Sequence, residues 1–157
     1  MRAFIYFFIS LFYGSLAYGQ NSDLSNEIKS SIETRSFVFQ VQSVSPRRGG
    51  MIQQSPGYKV SINKDTLTSL LPYIGRAYQA GYGSSDAGLN FTSMDYEYKV
   101  EDRKKGGWNI TIKVKDAKSA RQLMFDVFEN GKAYLSVNCV DRESISYNGY
   151  LEPRKSN

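Results

Sequence analysis

YEYKVEDRKKGGWNITIKVK runs from Tyr96 to Lys115. Trp108, Ile110, Ile112 and Val114 alternate with Asn109, Thr111, Lys113 and Lys115. A strand turns successive side chains to opposite faces, so this is one apolar and one polar face of a half-buried antiparallel strand. Tyr96 to Val100 repeats the alternation, and Gly106-Gly107 supplies the reversal between the two runs. The stretch is a β-hairpin whose tip carries Arg103-Lys104-Lys105. That basic cluster reads as a solvated turn, since exposed charge at a turn needs no partner to explain it.

The same period continues in both directions. Leu123, Phe125 and Val127 alternate up to Glu129-Asn130-Gly131-Lys132, and Asn-Gly between two such runs is the strongest short hairpin signal. Ala133, Leu135, Val137 and Cys139 form the returning apolar face. A turn at Asp141-Arg142-Glu143 leads to a last strand with Ile145 and Tyr147, ending before Pro153. Upstream, Phe37, Phe39 and Val41 alternate with polar neighbours, as do Tyr58, Val60 and Ile62. Pro46 to Gly50 and Asn63-Lys64-Asp65 are turns. Thr66 to Tyr73 is either a strand or a short helical turn, and Pro72 argues against a central strand. Only Ser22 to Arg35 has helical spacing, with Leu24, Ile28 and Ile32 on one stripe. The expectation is a mainly β domain, an antiparallel sheet of about eight strands curled into a barrel or sandwich, with one N-terminal amphipathic helix.

Met1 to Gly19 has the build of a signal peptide: Arg2, an apolar run from Ala3 to Phe12, then Ala17 and Gly19 as small residues before Gln20. The organisation read from the sequence is a leader at 1–19, a helix segment at 20–36, a β domain at 37–153 and a disordered tail at 154–157. The expected location is periplasmic or extracellular. Cys139 is the only cysteine, so no intrachain disulfide can form. The net charge of +5 is too weak and too scattered for a nucleic-acid binder, and no nucleic-acid partner is expected.

The 157 residues include no histidine. This removes Ser–His and Cys–His catalysis, histidine-ligated zinc and the usual general base near neutral pH. Cys139 lies on an apolar face and reads as an inert thiol. The carboxylate pairs Asp126 with Glu129 and Asp141 with Glu143 lie at strand faces and turns, without the burial that prepares acid–base work. No catalytic residue, metal ligand or cofactor is assigned.

The remaining candidate is LPYIGRAYQAGYGSSDAGLNF, Leu71 to Phe91. Tyr73, Tyr78, Tyr82 and Phe91 offer aromatic faces, and Arg76 offers a planar fork of donors. They suit a small amphipathic or carbohydrate-like ligand. Equally, they suit aromatics packed over one end of the sheet, with glycines reversing the chain. The functional expectation is a non-catalytic, monomeric binding module. The alternative is an envelope scaffold acting through an exposed sheet edge, and a carboxylate-dependent hydrolase is the remaining reading.

The order YKVSIN, LPYIGRAY, FTS, GGWNITIKV, FENGKAYLSV and DRESISYNGYLEP resembles the bacterial family called domain of unknown function 4251. The resemblance spans Phe37 to Pro153. It implies one exported domain and supplies no chemistry.

Overall fold

The computed structural model describes residues 19–75 and 88–154. One helix, α1 (Gly19–Glu33), precedes ten strands: β1 (Ser36–Pro46), β2 (Ile52–Gln53), β3 (Lys59–Asn63), β4 (Thr66–Pro72), β5 (Gly88–Ser93), β6 (Tyr96–Asp102), β7 (Trp108–Val114), β8 (Ala120–Val127), β9 (Lys132–Cys139) and β10 (Ile145–Pro153). They form one sheet in the order β5-β4-β3-β1-β10-β9-β8-β7-β6, with β2 paired to the upper part of β1. The expected mainly β architecture is what the chain adopts. The count rises from about eight because β2 is only two residues long and β5 follows the glycine-rich segment, where no clean alternation marks a strand.

Every ladder is antiparallel. The two ends of the path, β5 and β6, are consecutive in the chain and separated only by Met94 and Asp95. The sheet therefore curls until its edges meet, giving a nearly closed barrel. An antiparallel path of nine strands gives its first and last members the same direction, so β5 and β6 continue one line through a bend. The Asp116 carboxylate holds that bend, accepting from the backbone N–H of Met94 at 3.0 Å and of Asp95 at 3.2 Å. Among the described residues no ladder joins β5 to β6.

Inward positions alternate along every long strand. Phe37, Phe39, Ile62, Leu67, Ile110, Phe125 and Tyr147 are all fully buried. The Phe125 ring on β8 meets Phe37 and Phe39 of β1 edge-to-face, with centroids 6.2 and 5.6 Å apart. Such edge contacts suit the ring quadrupoles, and they fill the middle of the barrel with side chains. Gly149 on β10 faces Val41. A Cβ there would strike the carbonyl of Gln40, so glycine lets β1 and β10 approach where β1 bulges between Val41 and Ser43.

Helix α1 closes one end. Ile28 and Ile32 are buried as the spacing predicts, but Leu24 is 39% exposed. Only the second half of the helix reaches the sheet. Arg35, in the left-handed region at φ 52°, ends the helix and starts β1. The Tyr98 hydroxyl on β6 donates to the Ile32 carbonyl at 3.0 Å, and Tyr96 donates to Lys64 at 2.6 Å. Pro72 does not prevent β4 from being an interior strand, because it is the last residue of the ladder, opposite Gly88.

Candidate functional site

Two regions concentrate polar and aromatic side chains: the barrel end away from the helix, and the outer wall.

At the end away from the helix, Tyr73 follows β4 directly. Its hydroxyl donates to the Glu143 carbonyl at 3.1 Å, and the Arg142 guanidinium lies over its ring, 4.9 Å from the centroid. Arg142 also grips the Asp141 carboxylate through Nε and Nη2 at 3.0 and 3.1 Å and donates from Nη1 to the Gly88 carbonyl at 3.4 Å. The Arg142 hydrogen bonds hold the Asp141 carboxyl below its ordinary value. Nearby, Tyr147 is buried and donates to the Pro72 carbonyl at 2.7 Å. Burial raises the Tyr147 and Tyr73 phenols, and it pushes the Cys139 thiol up to about 11, with Arg142 pulling the other way and Asp141 raising it. Among the candidates from the sequence, Tyr73 lies in this cluster. Phe91 points inward on β5, partly buried against the core. Arg76, Tyr78 and Tyr82 lie outside the described residues. Arg142 and Glu143 belong to the cluster although the Leu71–Phe91 segment does not contain them; the turn Asp141-Arg142-Glu143 was visible in the sequence, but its distance from Tyr73 along the chain hid the contact.

The outer wall carries a second arrangement, missed from the sequence. One register row crosses the sheet: Glu101 opposite Asn109, Asn109 opposite Asp126, Asp126 opposite Tyr134, Tyr134 opposite Asn148, Asn148 opposite Ser43, and Ser43 opposite Gln53. Tyr134 is 51% exposed. Its ring is met edge-on by Phe128 at 5.7 Å, and Arg103 covers Phe128 at 4.3 Å. This stack fixes the orientation of an exposed aromatic face. A trough of about 500 Å³ runs past Asn109, Asp126, Tyr134, Ser136 and Asn148. The Asn109 Oδ1 atom is buried in its floor with no hydrogen-bond partner among the described residues. A second trough of about 590 Å³ lies over Gln40, Gln53, Gln54 and Tyr150, and Asn148 lines both. Asn148 is held at the junction, its Nδ2 donating to Ser43 Oγ at 3.0 Å. The signal for this wall lay in the polar positions of the strands around the Asn130-Gly131 turn, which become a row only once register is known.

Among the described residues no cluster of three or more carboxylate or thiol groups is placed to hold a metal ion. No helix among them is long and apolar enough to cross a membrane.

The geometry defines a class: an antiparallel barrel, nearly closed, plugged by a helix and packed with its own side chains. The family model Domain of unknown function (DUF4251) matches residues 20–151, and the chain belongs to that family. The match takes in the helix as well as the strands. The crystal structure of a DUF4251 family protein from Bacteroides eggerthii DSM 20697 is similar in fold, with a TM-score of 0.62 at 16% identity, covering 83% of this chain and 87% of that one. No curated protein matches the chain.

Proposed function

We propose that this protein is an exported, non-catalytic binding module that holds a carbohydrate-like ligand on the outer wall of the barrel. The observation that carries the reading is Tyr134, a propped and half-exposed ring set between Asp126 and Asn148 in a row of hydrogen-bonding side chains. A sugar ring has an apolar C–H face and a rim of hydroxyls. An aromatic face with carboxylate and amide groups beside it matches both. The end away from the helix is the weaker candidate because Tyr73 and Arg142 are committed to each other, to Asp141 and to backbone carbonyls.

A glycan array with the full chain tests the reading. Binding that Tyr134→Ala abolishes, with the unfolding midpoint unchanged, is the expected result. Binding retained at full strength by Tyr134→Ala would refute it, as would silence across the array.

A second reading is an envelope interaction domain acting through a sheet edge. The absence of a ladder between β5 and β6 among the described residues favours it. Cross-linking in intact cells that traps a partner on β5 or β6 would support it; a monomer with no cross-linked partner would refute it.

A further inference from the structure

We infer that the outer wall is an extended cleft for a linear, uncharged glycan chain, with Tyr134 at only one of its subsites; the inference rests on the carbohydrate reading above. The two troughs are neighbours that share Asn148, which lines both and donates to Ser43 Oγ and Met51 Sδ between them. Along the row each strand contributes one polar side chain: Asn109, Asp126, Tyr134, Asn148, Ser43 and Gln53, on β7, β8, β9, β10, β1 and β2, with Ser43 buried and positioning Asn148.

Neighbouring strands lie about 4.8 Å apart, so the row spans about 24 Å. One strand spacing is close to the rise of one sugar residue in an extended glycan. Successive sugars can therefore meet successive strands. The second trough supplies a second aromatic, Tyr150, 37% exposed.

Charge selects the kind of chain. The linings contain the carboxylates Asp126 and Glu101, the latter paired with Lys99 at 2.8 Å, and no lysine or arginine. Carboxylates and amide oxygens accept from hydroxyls and repel uronates, sulfates and phosphates. The complementary occupant is neutral and rich in O–H donors.

The test is an array of neutral and uronate-bearing oligosaccharides graded from mono- to hexasaccharide, followed by calorimetric titration of the best series. Affinity is expected to rise by about tenfold or more, equivalent to about 1.4 kcal/mol, from disaccharide to hexasaccharide. The double variant Gln53→Ala, Tyr150→Ala should lose that gain and keep the disaccharide affinity, while Tyr134→Ala loses both. If monosaccharide and hexasaccharide bind equally well, the extended cleft is wrong and the single-sugar site stands. Preference for uronates overturns the neutral chain. No binding at any length overturns this inference and the proposed function together.

Discussion

Tyr147 and Tyr73 clasp the end of the barrel away from the helix, each bonded to the other's strand end. Tyr147, on β10, donates to the carbonyl of Pro72 at the end of β4, while Tyr73, the next residue, donates back to the carbonyl of Glu143 just before β10. Each ring buries its apolar body, and each hydroxyl donates to a carbonyl at a strand end.

Removing one hydroxyl measures the clasp. Tyr147→Phe keeps the ring and removes the donor to the Pro72 carbonyl in a part-buried site, so it should cost about 1 kcal/mol. Tyr73→Phe should cost less, because its bond is longer, 3.1 against 2.7 Å, and the Tyr73 side chain is only partly buried whereas Tyr147 is fully buried. Urea unfolding of both variants gives the comparison; equal and negligible costs would show that the clasp contributes nothing.

The tyrosines also set an alkaline limit. Burial raises the phenols of Tyr98 and Tyr147 most, and those of Tyr73 and Tyr96 as well. A folded-state value above the unfolded one means the native state holds the proton more tightly. That stability is complete below the ordinary phenol value of about 10 and is lost as pH rises beyond it. Thermal unfolding followed by phenolate absorbance should show these groups ionising together with loss of structure. Smooth titration in the folded protein would contradict the burial.

Asp141 works at the other end of the pH scale. Hydrogen bonds from Arg142 lower its value, so the contribution is present above the ordinary carboxylate value of about 4 and is lost as pH falls through the lowered one. Wild type should exceed Asp141→Asn in melting temperature at neutral pH, and the gap should close in acid. A gap independent of pH would rule out the carboxylate charge as its source.

Cys139 should alkylate slowly. With its value pushed up to about 11, mainly by burial, the thiolate fraction near pH 8 is roughly a hundredfold below that of a free thiol. Iodoacetamide labelling timed against glutathione checks this, and a rate equal to glutathione would mean that the thiol is open to solvent.

The alternation of Trp108, Ile110, Ile112 and Val114 was legible because half-burial writes itself into sequence with period two, and each of those side chains is buried. The Asn130-Gly131 turn was equally plain, since Gly131 takes φ 81°. β5 was not legible: Leu89 and Phe91 follow a glycine-rich run, and their pairing to β4 is a property of the ladder. The outer row failed to show for the same reason. Asn109, Asp126, Tyr134 and Asn148 are each an ordinary outward residue, and only register brings them into line. The expectation of export rests on residues 1–19, of which 1–18 lie outside the described residues.

The longest ladder has a kinetic consequence. β1 leads the strands and β10 ends them, yet they pair along almost their whole length, from Phe37 opposite Pro153 to Pro46 opposite Ile145. The first strand made must wait for the last before it gains its principal neighbour. Loop closure over such a separation puts the chain among slow, high-contact-order folders, on the order of milliseconds to seconds. A ribosome still synthesising β10 therefore carries an unfinished barrel, and the polypeptide stays threadable until its final strand is released.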